Sequence, residues 1–335
     1  MTETFKQLRG KVLTALGLGL AIMLILSLSS DLRQVGGSFR GFRWLDLPLV
    51  LGLTALNYLL RWLKWDYYLR QLRLGPGVSR RESALIFTAG MVMAVTPGKV
   101  GEVFKAYLLR QINGTPISKS APIVLVERLT DGLAMLLLMG LGLTLYPPAR
   151  LAFLALVLLS GLGIAILQTE PLFDQLLSWF ARLPFGQRLA PRLRTMYASA
   201  KTLLAWRILL LSTLLSFISW GFECWAFFAI LTGLHVAGSG LLFLQATFIF
   251  AASTLFGLVS LLPGGLGTSE VSSTGLLMAL VGLESSVATT ATIMIRFCTL
   301  WFGVALGLLA LGWFKHRHGG SAFSAPEKAE KLEER

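Results

Sequence analysis

The chain has 335 residues, of which 55% are hydrophobic and only 14% are charged, and its mean hydropathy is +0.70. An ordinary soluble domain is roughly 25% charged, so too few charges remain here to solvate a globular surface. That excludes a soluble enzyme, a secreted disulfide scaffold and a disordered chain, and it leaves a multi-spanning membrane protein. A net charge of +13 in a soluble protein would suggest nucleic acid. In this chain the basic residues gather in short loops between apolar runs, as the positive-inside rule expects, so no nucleic-acid partner is expected.

In chain order, a first span is predicted from Val12 to Ser29, after Lys6, Arg9 and Lys11. No A-x-A-like cleavage site follows it, so it reads as a retained span. A polar loop carries Asp31, Arg33, Arg40, Arg43 and Asp46, and a second span starts near Leu47 and runs into the basic stretch Arg61 to Arg81. The apolar run Ala84 to Thr96 reaches only about 20 Å as a helix, short of a hydrocarbon core of about 30 Å. Pro97-Gly98 ends it, and a second short piece, Val100 to Ile112, follows. Two short apolar helices joined by Pro-Gly read as a re-entrant hairpin or one broken helix.

Full spans are predicted at Pro122 to Tyr146 and at Leu151 to Leu167. The amphipathic segment 168–206 either lies on the membrane surface or packs as a helix pair against a cytoplasmic loop. Ile208 to Leu231 spans, and Leu241 to Leu262 stops at Pro263-Gly264-Gly265. A short helix Ser269 to Val281 precedes the last span, Val287 to Trp313, and the tail 315–335 is expected to be disordered. Cys224 and Cys298 read as small buried apolar side chains.

With both Pro-Gly segments re-entrant, the basic stretches on one side hold 22 Lys/Arg and the opposite side holds four. The expected fold is therefore an all-α polytopic bundle of six full spans plus two re-entrant hairpins. Both termini are cytoplasmic, and residues 1–314 form one transmembrane domain. The two Pro-Gly segments also resemble each other. An offset of 168 residues superposes Glu102 on Glu270, Val103 on Val271, Leu108 on Leu276, Leu109 on Leu277, Gly114 on Gly282, Ser118 on Ser286 and Arg128 on Arg296. Repeat 1 spans about 84–146 and repeat 2 about 241–313. They enter from opposite sides, which is the pattern of transporters with a site near the midplane.

Each broken helix leaves amide donors without intrahelical partners, and a helix N-terminus attracts anions. The candidate binding residues are Pro97, Gly98, Gly101, Glu102 and Lys105 in the first repeat, and Pro263, Gly264, Gly265, Gly267 and Glu270 in the second. Arg128 and Arg296 join them, since a charge inside a span normally faces a polar interior. Each Arg suits either a Glu partner or a phosphate; Asp131, one turn from Arg128, offers a competing salt bridge. Glu102 and Glu270 suit helix capping as well. Glu102, Glu223 and Glu270 are candidates for proton or ion coupling. No metal site, cofactor or G-x-x-x-x-G-K-[ST] phosphate loop is expected.

Leu60-Arg61-Trp62, Thr96-Pro97-Gly98-Lys99-Val100-Gly101-Glu102 with Lys105, Val126-Glu127-Arg128-Leu129-Thr130-Asp131, and Leu262-Pro263-Gly264-Gly265-Leu266-Gly267-Thr268-Ser269-Glu270 with Arg296 resemble the lysylphosphatidylglycerol synthase transmembrane region, or flippase-like domain. The resemblance spans about residues 8 to 314. It implies an inner-membrane protein that moves or handles lipids, whose partners are anionic, zwitterionic or polyprenyl-linked. The soluble aminoacyl-tRNA-dependent domain of its best-understood members is not expected after the last span, so lipid aminoacylation is not implied. Lys105 stands where the family more often has Arg, and Thr268-Ser269 where a basic residue is common. The expected function is a flippase or scramblase-like transporter. An enzyme acting on lipid-linked substrates and a scaffold for a lipid enzyme are the alternatives, although His235, His316 and His318 fall in loops or the tail.

Overall fold

The computed structural model describes residues 32–95, 102–182 and 186–318, and those residues form helices and turns with no strand. The expected first span, the Pro97-Gly98 junction with Gly101, and the end of the tail lie outside the described residues. Helix α1 is Leu32–Gly41, α2 Leu47–Gln71, α3 Arg80–Gly90, α4 Phe104–Asn113, α5 Ile117–Leu141, α6 Ala149–Gln168, α7 Glu170–Phe180, α8 Gly186–Leu203, α9 Trp206–Gly233, α10 Gly240–Val259, α11 Thr268–Leu276, α12 Ser285–Arg296 and α13 Phe302–His318. Helix α13 runs through His318, so His316 and His318 sit in its last turn and not in a tail.

Local sequence accounts for the helix limits. Ser79 and Glu82 start α3 with a reciprocal capping box: Ser79 Oγ accepts from the Glu82 amide at 3.2 Å, and the Ser79 amide donates to Glu82 Oε2 at 2.9 Å. The Ser79 amide holds the Glu82 carboxyl below its ordinary range. The associated stability is therefore present above the ordinary carboxylate range and is lost as pH falls through the depressed value. Gly114 and Gly282, superposed by the 168-residue offset, both end helical segments in the left-handed region, at φ 72° and 75°. Two π-turns, Leu277–Val281 and Phe297–Trp301, interrupt the helices on either side of α12.

Four segments are long and apolar enough to cross a membrane: Ala149–Gln168, Trp206–Gly233, Gly240–Val259 and Ser285–His318. Helices α2 and α5 have 25 residues each, about 37 Å at about 1.5 Å per residue, but they carry charge in their middles. Helix α6 presents Leu151 and Leu158 almost fully outward, at 81% and 72% exposure, as a lipid-facing helix would. Helix α7 buries no residue, whereas α8 buries Tyr197, Ala200 and Leu203 and packs along α5. Phe173 and Tyr197 stack at 3.7 Å, and Lys201 pairs with Glu170 at 2.6 Å, tying α7 to α8. The amphipathic segment is thus a helix pair packed on the bundle.

Two apolar cores are separated by a polar layer. One core contains Leu53 of α2, Met135 of α5, Phe227 of α9 and Phe248 of α10. The other contains Trp65 of α2, Val126 of α5, Leu209 of α9 and Phe314 of α13. Between them α2 buries Thr54, Asn57 and Lys64, α5 buries Glu127, Thr130 and Asp131, and α9 buries Ser212, Ser216, Ser219 and Glu223. The spacing of three and four residues puts each set on one helical face. Helices α2 and α9 are stitched there by a reciprocal pair: Asn57 Nδ2 donates to the Ser219 carbonyl at 2.9 Å, and Ser219 Oγ donates to the Asn57 carbonyl at 3.1 Å.

Helix α13 lies against α3 so closely that a Cβ on Gly307 would meet the Val92 amide nitrogen at 2.7 Å and the Thr88 carbonyl oxygen at 3.0 Å, whereas one on Gly312 would meet nothing within 4 Å. Backbone cannot yield as a side-chain tip can. Gly307→Ala is expected to destabilise the protein by about 1–3 kcal/mol. Gly312→Ala, in open helix surface, should be neutral or stabilise it by about 0.5–1 kcal/mol. Thermal unfolding in detergent reads both, and equal effects would contradict the close packing of α13 on α3.

Candidate functional site

The polar layer is an ion-pair network on a helical frame. Lys64 Nζ of α2 lies 2.5 Å from Asp131 Oδ1 and donates to Ser216 Oγ at 2.6 Å. Lys105 Nζ of α4 lies 2.6 Å from Glu127 Oε2. Arg61 reaches Glu127 at 3.3 Å and Asp131 at 4.0 Å. Arg128 is shared among Glu127 at 2.8 Å, Asp131 at 3.1 Å and Glu102 at 3.3 Å. Burying such charges is costly, and attraction offsets the cost only where geometry is good and the remaining valences are met. Each member of this network meets at least one partner at hydrogen-bond or near hydrogen-bond distance.

Residues 264–296 build a smaller version. Arg296 Nε lies 2.5 Å from Glu270 Oε1, and its Nη2 donates to the Gly264 carbonyl at 2.7 Å. The other Glu270 oxygen accepts from the Gly267 amide at 2.7 Å, capping α11. The capping role expected for Glu270 is therefore seen, and one amide that could have met an anion is occupied by the chain's own carboxylate. Glu102–Arg128 and Glu270–Arg296 are the same pair at the 168-residue offset, 3.3 Å and 2.5 Å apart.

The Pro263–Gly265 turn packs on the 3-10 segment Met91–Val95 that extends α3. Gly264 has φ +61°, and a Cβ there would sit 3.6 Å from Val95 Cα. Only a residue tolerant of the left-handed region makes this turn without strain. Pro97, Gly98 and Gly101 lie outside the described residues, so what is seen is the second Pro-Gly turn against the approach to the first.

Between these elements lies a cavity of about 120 Å³, room for several waters or a compact ionic group. Its wall takes Arg61, Glu102 and Lys105 from the first charge cluster, Gly264, Ser269 and Arg296 from the second, and Glu223 from α9. Arg128, Asp131 and Glu270 stand behind it as partners of the wall residues. Aromatic faces brace two of the cations: Arg61 lies 5.3 Å from the Trp220 ring, and Lys105 5.0 Å from Trp65 and 5.2 Å from Phe87. Tyr58 donates a short hydrogen bond to the Thr299 carbonyl, in the π-turn just after Arg296. Cys224 and Cys298 are buried thiols.

Sequence reasoning placed Arg61 and Lys64 in a cytoplasmic basic stretch. The structure corrects this: both lie within α2 and belong to the charge network. The missed signal was periodicity. Thr54, Asn57, Arg61, Lys64 and Tyr68 recur at three and four residues, as do Ser212, Ser216, Ser219 and Glu223, each a polar stripe along an otherwise apolar helix.

A helical bundle with apolar outer faces and a charged cavity among its helices defines a multi-pass membrane protein with an internal polar site. The family model described as lysylphosphatidylglycerol synthase TM region matches residues 12–307; the chain belongs to that family. Among its relatives are two UPF0104 membrane proteins of Methanothermobacter thermautotrophicus. One is 24% identical over 289 residues, covering 79% of this chain and 82% of the relative. The other is 23% identical over 292 residues with the same coverage. A UPF0104 membrane protein of Pyrococcus horikoshii is 35% identical over 97 residues, 29% of this chain and 28% of the relative.

The network generates a stability prediction. Lys64→Met removes the ammonium 2.5 Å from Asp131 Oδ1, leaves that buried carboxylate only Ser216 and the shared Arg128, and should lower stability by about 3–5 kcal/mol. The double variant Lys64→Met/Asp131→Leu should recover much of that loss, because no lone charge is left from the pair. Chemical denaturation in detergent micelles measures the cycle. Strictly additive losses would show that Lys64 and Asp131 do not act as a pair.

Proposed function

We propose that the protein is a lipid transporter of the flippase or scramblase type, in which a headgroup crosses through the polar cavity while its acyl chains remain in the bilayer. The observation that carries this reading is the cavity itself: charged side chains from both charge clusters converge on one space, inside helices whose outer faces are apolar. A soluble site needs no such apolar exterior, and a purely structural charge network needs no cavity.

In this reading the two Pro-Gly segments dip into the membrane from opposite faces as inverted repeats, 84–146 and 241–313. Glu102, Lys105, Arg128 and Asp131, together with Gly264, Glu270 and Arg296, form the midplane site. The protein sits in the cell inner membrane with both termini cytoplasmic, and residues 1–314 work as one unit. Membrane lipids are the partners, whether anionic, zwitterionic or polyprenyl-linked. Broken-helix tips at the midplane are what alternating access requires. The membership of the chain in a family named for a lipid synthase supports a lipid-related role.

Reconstitution into vesicles with labelled lipids tests the proposal. Transbilayer movement should exceed that of protein-free vesicles for at least one headgroup. Arg296→Ala, which frees the Gly264 carbonyl and the Glu270 carboxylate together, should slow it by roughly tenfold, the equivalent of about 1.4 kcal/mol. Movement no faster than in protein-free vesicles across anionic, zwitterionic and polyprenyl-linked probes would overturn the transport reading.

A further inference from the structure

One carboxylate on the cavity wall stands outside the ion pairs. Glu223, in the middle of α9, is 1% exposed and lines the cavity. Its hydrogen bond comes from Thr54 Oγ1 at 3.3 Å. Among the described residues every other buried carboxylate has a cation within 3.3 Å: Glu102 has Arg128, Glu127 has Lys105, Asp131 has Lys64 and Glu270 has Arg296. Glu223 has none at that distance.

Its surroundings hold few charges. From α2 it faces Tyr58 and Arg61, on its own helix Cys224, and from the π-turn after α12 Cys298. Helix α5 directs Glu127 and Asp131 at Arg61. Helix α10 carries no ionisable side chain. Helix α12 contributes Arg296, held by Glu270, and the turn Trp44–Asp46 contributes Asp46, held by Arg43.

The charge balance then turns on this one group. Arg61, Lys64, Lys105 and Arg128 stand against Glu102, Glu127 and Asp131, and Arg296 is matched by Glu270. Among the described residues, the layer is neutral with Glu223 ionised and carries one excess positive charge with Glu223 protonated. A second anion entering beside an ionised Glu223 would raise the energy of both, because like charges in a poorly screened site disfavour ionisation.

We propose that Glu223 binds one proton when an anionic phosphodiester headgroup enters the cavity, so that one proton and one negative charge cross together. This rests on the transport reading and adds its energy coupling. The proton comes from water on the side the cavity faces, adds to a Glu223 carboxylate oxygen, and leaves with the headgroup on the other side. Arg61 and Arg296 take the phosphodiester oxygens. Linkage is reciprocal: protonation favours the anion, and the anion favours protonation. A headgroup of zero net charge draws no proton.

The test titrates the full-length protein in detergent with phosphatidylglycerol, with phosphatidylcholine, and with water-soluble glycerophosphoglycerol, in weakly buffered solution containing a pH indicator. One proton should be taken up per phosphatidylglycerol bound and none per phosphatidylcholine. Affinity for phosphatidylglycerol should fall by up to tenfold per pH unit as pH rises through the window in which Glu223 titrates. Uptake with glycerophosphoglycerol as well would assign the coupling to the anionic headgroup alone; uptake with the lipid only would add the acyl chains to recognition; both support the proposal. Glu223→Gln should bind phosphatidylglycerol with affinity independent of pH and without proton uptake.

Thr54→Val gives a second, milder variant. Losing the hydroxyl that donates to the carboxylate should keep the uptake and move its window to higher pH. Phosphatidylglycerol binding without proton uptake, uptake that survives Glu223→Gln, a window that Thr54→Val leaves unmoved, or no phosphatidylglycerol binding at all would overturn the proposal. The two readings fail separately. Proton-coupled binding without lipid movement in vesicles defeats transport and keeps the coupling; pH-independent movement without uptake does the reverse.

Discussion

Burying a charge in a membrane protein is tolerated only when other groups replace the water it has lost. The polar layer of this bundle is organised by that constraint. Lys64, Lys105, Arg61 and Arg128 share three carboxylates within one cluster, and Arg296 with Glu270 repeats the arrangement 168 residues later. Lys64 is held by Asp131 of α5 and Ser216 of α9, Lys105 by Glu127 of α5, and Arg61 by Glu127 and Asp131 of α5, so the network ties α2, α4, α5 and α9 together. The apolar cores on either side fill in around it. A cavity can persist there because rearranging its wall means breaking ion pairs in a medium that offers no replacement.

A Glu and an Arg recurring at one spacing are an economical way to build such a layer. One Pro-Gly-Glu segment followed by an Arg 26 residues after the Glu gives a capped half-helix with its own counter-ion: Glu270 both accepts from the Gly267 amide and binds Arg296. Glu102 and Arg128, at the same spacing, are drawn into a larger cluster by Lys105, Glu127 and Asp131. The two halves are thus related in chain pattern yet unequal in charge, and the cavity between them has one strongly charged side and one sparse side.

Much of this was legible in the chain. The apolar runs and the punctuation at Pro263-Gly264-Gly265 located most helices, and the Glu102–Arg128 and Glu270–Arg296 correspondence singled out the residues of both ion pairs while leaving each Arg open to a Glu or a phosphate. What was not legible has a physical cause. Arg61 and Lys64 sit at the end of an apolar run, where linear reading puts them in water; only the three-and-four spacing with Thr54 and Asn57 turns them inward. Lys105 lines the cavity, but its pairing with Glu127 was not legible, because no linear pattern tells which of several nearby carboxylates a flexible ammonium will choose. The surface helices α7 and α8 were ambiguous for a similar reason. An amphipathic face reports that something apolar covers it, and tertiary packing then supplied α5.

The account depends on a polar space in mid-bilayer that is held open by ion pairs and reachable by a headgroup. An experimental map of the protein in lipid nanodiscs tests that most directly. It should show headgroup or ordered-water density between Arg61, Glu223 and Arg296, with the Glu270–Arg296 pair intact beneath the Pro263–Gly265 turn. A map in which packed hydrocarbon side chains fill that space, or in which the turn and the end of α3 stand apart, would contradict it.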